Sequence, residues 1–405
     1  MNIKALLKSL KLRKFNTGLL ILQLALTVGL IVNSAILSMD TYSNLEVDTG
    51  MDNENILITA MNPTSGDFKD QDYARSIAHQ DLAALRNIPG VKSVTQLNQL
   101  PLQRGGWNGN VYDLDDPEIE QRNSSLRYIP FFLTNEDVES AFGLQLVEGR
   151  FLTDADRIDD NSENATHNIV ISESLKKALY GDKSALGEET SRGFVVGVVK
   201  DILVYPHMAS DRQHALFMNR IDEYIRFGRH YALNVEPGQM AFVREQVRDV
   251  ILGVEPQRDI YAVFTMAEHF KKFYRDDQGL ANLFILLTGL MLLVTAISSY
   301  AYSQFHITQQ TKFIGIRRAL GATKRDIMLY VLTENWLLYA FGSILGLAVM
   351  IGFNILLSQH IKLSKPDFIM TGLAVAVIFI SGTLATWLPA RKTSKIAPVI
   401  ATRSV

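Results

Sequence analysis

The chain contains no cysteine among its 405 residues, so disulfide staples and thiolate chemistry are excluded. No G-x-x-x-x-G-K-[ST] phosphate loop occurs, which excludes nucleotide hydrolysis by that route. The eight histidines are scattered, and none forms an H-x-x-x-H or H-E-x-x-H pair that would seat a metal on one helix face. No serine stands in a G-x-S-x-G setting. A net charge of −2 gives no basic footprint for nucleic acid. The chain is therefore expected to be non-catalytic and to bind neither metal nor cofactor itself.

What the chain has is four apolar runs long enough to cross a bilayer, at 18–39, 279–302, 329–357 and 368–388. Basic residues crowd the short flanks: Lys4, Lys8, Lys11, Arg13 and Lys14 before the first run, then Lys312, Arg317, Arg318, Lys324 and Arg325 between the second and third. Arg391, Lys392, Lys395 and Arg403 follow the fourth. The positive-inside rule puts all three segments, and so both termini, in the cytoplasm. Residues 40–278 and the short loop 358–367 then lie outside. The first run is too long for a signal peptide's apolar core and is expected to be an uncleaved anchor. Ahead of it, Ile3, Leu6, Leu7 and Leu10 have the spacing of an interfacial amphipathic helix over 1–17.

The fold class expected is an integral membrane protein with a large α+β domain inserted between helices 1 and 2. Residues 55–62 and 91–97 have strand composition, and 73–86 between them has helical spacing, giving an early β-α-β unit. The theme repeats at 230–266, and two sub-lobes are expected, the second over about 141–205. The polar stretch with Asp154, Asp156, Asp159 and Asp160 lacks the Gly and terminal Glu of a calcium loop and is expected to be solvated. From Met266 no break separates the outer domain from the second run, so a stalk helix is expected to enter the membrane directly. In the third run Gly342 and Gly346 are four apart, a spacing for close helix packing within the chain or at a dimer seam. Glu334 lies near the cytoplasmic end of that run and is expected to pair with Arg317, Arg318 or Lys324.

The link between runs two and three, residues 303–328, reads TQQTKFIGIRRALGATKR at its centre, with Gly321 where a helix would stop and restart. Phe313, Ile316 and Leu320 share one helical face suited to a protein groove or to lipid. Arg317 and Arg318 could meet an acidic partner, or merely obey the positive-inside rule.

The run IGIRRALGA, with Ile314, Gly315, Ile316, Arg317, Arg318, Ala319, Leu320, Gly321 and Ala322, closely resembles the signature of the MacB/FtsX superfamily of ABC-transporter permeases. Glu334 stands where that family has an acid, and Phe313 replaces its usual leading Glu. The ending WLPARKTSKIAPVIATR and the segment VEGRFLTDAD also resemble the family's pattern. The resemblance implies an inner-membrane permease working by mechanotransmission. Residues 313–322 would couple to a separate ABC ATPase subunit that holds ATP and Mg. It further implies a dimer with a second permease copy or paralogue, and a periplasmic adaptor with an outer-membrane channel. The cargo implied is a peptide, a lipopeptide or a small toxic compound. Release of lipoproteins, or an FtsX-like scaffold role activating an envelope hydrolase, stay open as alternatives.

Overall fold

The computed structural model describes residues 14–103, 105–158, 167–205, 213–220, 229–358 and 368–394. The chain divides into two compact units, residues 46–275 and residues 1–45 together with 276–405. The expected interfacial segment before residue 14, residues 359–367 of the expected loop and the tail from 395 on lie outside the described residues. The first helix, α1 (Lys14–Leu45), contains the first apolar run.

In the unit 46–275, the strand composition near the start becomes β1 (Ile56–Pro63), followed by α2 (Gln71–Arg86) and β2 (Val91–Leu97). Asp70 caps α2 by accepting a hydrogen bond from the Tyr73 amide, satisfying one of its orphan donors. β1 and β2 do not touch. Strand β10 (Arg229–Val235) lies between them, antiparallel to both, and β11 (Arg258–Thr265) closes the far edge, giving the order β11-β1-β10-β2. Two β-α-β units are thus interlocked, each filling the gap left by the other. α2 and α4 (Met240–Val254) cover one face with a core of Leu82, Leu85, Val243, Val247 and Ile251 against Leu57, Tyr231 and Leu233. Within this core Asp81 accepts hydrogen bonds from Arg258 at 2.5 Å and from the Tyr231 hydroxyl at 2.8 Å, all three residues being buried.

The second lobe is built on a mixed sheet ordered β3-β4-β9-β6-β8-β5, with β7 (Glu189–Thr190) paired to β8. Its strands are β3 (Asn108–Gly109), β4 (Ile129–Thr134), β5 (Leu146–Gly149), β6 (Asn168–Ser172), β8 (Gly193–Val199) and β9 (Leu216–Asn219). The lobe therefore reaches from Asn108 to Asn219, wider than the expected 141–205. Helix α3 (Glu173–Tyr180) packs Leu175 and Leu179 onto Ile169, Ile171 and Val195.

The acidic loop is not simply solvated. Asp156 is buried and takes two hydrogen bonds from Arg150, at 2.6 and 2.8 Å, with further bonds from Thr153 and Asn168. Asp154 pairs with Arg157 at 2.7 Å. The Arg150 guanidinium neutralises the buried carboxylate; Asp159 and Asp160 lie outside the described residues.

β11 passes without a loop into α5 (Met266–Ala319), which begins at a reciprocal cap. The Glu268 amide donates to Thr265 Oγ1, and Glu268 Oε2 accepts from the Thr265 amide. α5 is one helix of 54 residues, about 80 Å at 1.5 Å per residue. α6 (Lys324–Ser358) and α7 (Phe368–Ser394) follow. Together with α1, these four helices are long and apolar enough to cross a membrane.

Where α1 meets α6, small residues set the distance. A Cβ on Gly342 would lie 2.5 Å from Leu24 Cβ, and one on Gly346 would lie 2.7 Å from Val28 Cβ. On the other partner, a Cβ on Gly29 would lie 2.9 Å from Val349 Cγ1. The backbones approach to a spacing that only glycine allows. Polar groups add to this packing: Asn33 Nδ2 on α1 donates to the Met350 carbonyl of α6 at 3.2 Å, and the hydroxyls of Thr27 on α1 and Thr295 on α5 are 2.9 Å apart.

Candidate coupling site

The segment 308–325 is a helix, a turn and the start of a second helix. α5 runs to Ala319, and Gly321 then adopts φ +99°, a left-handed conformation that costs a residue with a Cβ about 1–2 kcal/mol. The Gly321 amide donates to the Arg318 carbonyl at 3.2 Å, and the Ala322 amide reaches back to the Arg317 carbonyl at 3.0 Å. These two bonds are the Schellman closure, which satisfies carbonyls that the helix end leaves orphaned. Only two residues later a second reciprocal cap starts α6. Asp326 Oδ2 accepts from the Thr323 amide at 2.8 Å, while the Asp326 amide donates to Thr323 Oγ1 at 3.2 Å. The stop and restart are both locally encoded, so the turn is a defined object.

Phe313, Ile316 and Leu320 are exposed along one face of the last turns of α5, Leu320 at 83%. Ile314 and Gly315 face inward and are buried. Ala319 and Gly321 are exposed, and Ala322 is half-buried. The two arginines are held within the chain. The Arg317 guanidinium carbon lies 4.7 Å from the Phe313 ring centre and 4.5 Å from that of Tyr330 on α6. Arg318 Nη1 donates to the Ser394 carbonyl at 3.4 Å, at the end of α7. Charged Lys312, Lys324 and Arg325 flank the turn and are exposed.

Glu334 does not meet Arg317, Arg318 or Lys324. It is buried at 3% exposure, with Oε1 3.2 Å from His306 Nδ1 on α5. The reason is geometric: α5 and α6 are antiparallel across a short turn, so residues nearly equidistant from that turn face each other. Arg318 and Lys324 sit beside it, roughly ten residues or 15 Å short of Glu334. Gln310, Tyr330 and Asn335 surround the pair. His306 and Tyr330 are the residues that spacing alone missed. A signal was there, since both are polar-tipped residues near the ends of otherwise apolar runs.

Gly342 and Gly346 lie against Leu24 and Val28 of the same chain, away from the turn. None of the residues at the turn forms a metal-ligating cluster, and among the described residues no group of three or more His, Cys, Asp or Glu could hold a metal ion.

Two family models match the chain. The MacB-like periplasmic core domain matches residues 19–263, and the FtsX-like permease C-terminal region matches 285–398. The macrolide export ATP-binding/permease protein MacB of Bdellovibrio bacteriovorus is 25% identical over 98% of this chain and 60% of its own length. The pyoverdine export ATP-binding/permease protein PvdT of Pseudomonas syringae pv. syringae is 26% identical over 81% of this chain and 48% of its own. The chain thus spans about half of these two relatives. An uncharacterized ABC transporter permease of Bacillus subtilis, YvrN, is 23% identical and is covered over 87% of both chains. Among solved structures, the periplasmic region of MacB from Actinobacillus actinomycetemcomitans aligns over 57% of this chain and 96% of its own, with a TM-score of 0.35 and 16% identity. The chain belongs to the MacB/FtsX-like family of ABC-transporter permeases, a multi-pass inner-membrane protein carrying a MacB-like periplasmic domain between its first and second helices.

Proposed function

We propose that this permease couples ATP hydrolysis on a partner ATPase to conformational change in its periplasmic domain, driving export by mechanotransmission. The observation that carries the reading is α5. One unbroken helix runs from the reciprocal cap at Thr265 and Glu268, on the last strand of the periplasmic domain, to the exposed Phe313, Ile316 and Leu320 face at the turn. An apolar patch between exposed lysines is the surface a protein groove with an acidic rim would accept. In this reading ATP and Mg are held by the partner ATPase.

In this reading the turn is cytoplasmic, as are both termini, because the basic flanks bracket it. Two permease chains work with two ATPase subunits, and a periplasmic adaptor and outer-membrane channel complete the path. The cargo class is a peptide, a lipopeptide or a small toxic compound. The two-lobed periplasmic domain favours an exporter over a scaffold that only activates an envelope hydrolase.

The test is reconstitution of the chain with its cognate ATPase. Purified alone it should hydrolyse no ATP; with the ATPase, hydrolysis should drive export. Gly321→Pro, and Arg317→Glu with Arg318→Glu, should insert normally yet uncouple hydrolysis from export. Intrinsic turnover, or unchanged export in both variants, would contradict the proposal.

A further inference from the structure

The stretch of α5 that crosses the membrane turns its apolar residues outward: Leu283, Leu286, Leu290, Leu293 and Ile297 are all exposed. From 282 to 306 its buried residues are Thr295, Ser299, Ser303 and His306, a polar stripe at helical spacing. Leu292 and Tyr302 are half-buried beside it. The other helices are joined differently. α1 and α6 meet through the glycine contacts described above, and α6 meets α7 where a Cβ on Gly382 would lie 2.4 Å from Tyr339 Cζ. Surfaces interlocked so closely have one good register.

α5 is tied to that bundle by polar tips. Thr295 Oγ1 lies 2.9 Å from Thr27 Oγ1 on α1 and accepts from Gln23 Nε2 at 3.5 Å. Because the Thr27 hydroxyl donates to the Gln23 carbonyl at 2.8 Å, that of Thr295 donates to Thr27. Nearer the turn, the Tyr302 and Thr17 hydroxyls are 3.1 Å apart, and His306 Nδ1 lies 3.2 Å from Glu334 Oε1. Each of these α5 groups has a polar residue four positions later: Ser299 after Thr295, His306 after Tyr302, Gln310 after His306. Residues four apart stand one above another on a helix face, and Gln310 already borders the His306–Glu334 pair. By distance and angle, the buried hydroxyls of Ser299 and Ser303 have no hydrogen-bond partner among the described residues. One exposed contact, Tyr42 to Asn282 at 3.2 Å, is followed four residues on by Leu286 and has no such successor; water can replace it.

We propose that α5 is a ratchet with two registers, the one described and one in which it has moved four residues, about 6 Å, toward its N-terminal end. In the second register Ser299 meets Thr27, His306 meets Thr17 and Gln310 meets Glu334. Each buried hydrogen bond of the seam is exchanged for another, so neither register strands these partners in lipid. The exchange also gives Ser299 the partner that it lacks. A step the other way would set the apolar Met291 against Thr27, so the ratchet has one direction. The step carries Arg317 off Tyr330 and draws out the turn at Gly321. The four residues from Leu320 to Thr323 span about 13 Å when extended, more than the roughly 11 Å between neighbouring helices offset by that step. That the ATPase drives the step rests on the coupling reading; that two registers exist does not.

The chain has no cysteine, so an introduced pair supplies its only thiols. The full chain in nanodiscs, carrying Thr27→Cys together with Thr295→Cys, Ser299→Cys or Met291→Cys, is oxidised with copper phenanthroline. Closure within one chain is followed by loss of thiols to maleimide. The Thr27–Thr295 pair should close fastest. Ser299 and Met291 stand equally far along α5 on either side of Thr295, so undirected breathing would close their pairs at equal rates. The ratchet should close the Ser299 pair at least tenfold faster than the Met291 pair. Gln310→Leu, which removes the second-register partner of Glu334, should slow the Ser299 pair several-fold and leave the Thr295 pair unchanged. Equal rates for the Ser299 and Met291 pairs, no closure of the Thr295 or the Ser299 pair, or a Ser299 rate unmoved by Gln310→Leu would each overturn the proposal. No ATPase is present in the assay, so failure here leaves the permease reading standing, and loss of coupling leaves the two registers standing.

Discussion

The guanidinium of Arg317 is stacked between Tyr330, 4.5 Å away on α6, and Phe313, 4.7 Å away one turn earlier on α5. This sandwich joins the two helices across the turn. It also gives Phe313, where the family signature has Glu, a local role: an aromatic face holds the cation that a carboxylate at i, i+4 would hold by charge. Phe313→Glu should therefore keep Arg317 in place and keep partner-coupled ATPase activity. Tyr330→Leu should cost about 0.5–1 kcal/mol, and a double-mutant cycle with Arg317→Gln should return a coupling energy of that size. Thermal unfolding of the four variants measures it. A zero coupling energy would mean the stacking contributes nothing.

Gly321 should tolerate Asn far better than Ala. Its φ of +99° is left-handed, and Asn visits that region more readily than other residues with a Cβ. Nothing lies within 4 Å of a Cβ placed there, so the cost is conformational rather than steric. Gly321→Ala should destabilise the turn by about 1–2 kcal/mol and Gly321→Asn by less. Hydrogen exchange of the amides at Gly321 and Ala322 reads this directly, and equal protection in both variants would contradict it.

Removing either member of the buried His306–Glu334 pair should be expensive and removing both less so. A buried polar partner left alone costs about 3–5 kcal/mol, whereas an apolar replacement of both can be near neutral. Glu334→Leu and His306→Leu should each lower the unfolding midpoint, and the double variant should recover part of the loss. Strict additivity would show that the 3.2 Å contact carries no energy.

Stability of the periplasmic domain should fall in two steps on acidification. Burial, reinforced by the neighbouring His269, depresses the folded-state pKa of His230 to about 4 from 6.5, so between these values the unfolded chain binds a proton that the folded one refuses. Stability is then full above about pH 6.5 and declines toward pH 4, by up to about 3 kcal/mol. Asp156 is held well below the usual carboxylate range, first by its bonds from Arg150 and then by those from Asn168 and Thr153. Its contribution is present above the ordinary carboxylate pKa of about 4 and is lost as pH drops further. His230→Ala should flatten the first step and Asp156→Asn the second, followed through Trp107 emission during denaturant titration. Both steps surviving in the variants would assign them to other groups.

Much of the membrane unit could be read in the sequence because lipid imposes a simple demand, long runs without charge, and each run lies inside a helix. The stop and restart at Gly321 were equally legible, since glycine conformation and Thr-x-x-Asp capping are local chemistry. The partner of Glu334 was not, because pairing across two helices depends on the antiparallel register and not on charge alone. In the periplasmic domain the strands and helices of the first sheet followed their periodicity. Their interlocked order, with β10 between β1 and β2, did not, because it joins residues more than a hundred positions apart. The polar stripe of α5 carried no motif: Thr295, Ser299 and Ser303 stand four apart in the sequence, yet only contact with α1 and α6 shows that this face is the buried one.

The central claim is that the ATPase engages the turn between α5 and α6. A photo-reactive amino acid at Leu320, 83% exposed at the end of α5, tests it most directly in membranes containing both subunits. Crosslinks should form to the ATPase, with a yield that changes when ATP is added, whereas a probe at Leu286 on the apolar face of α5 should give none. No Leu320 crosslink to an ATPase that is present and active would contradict the account.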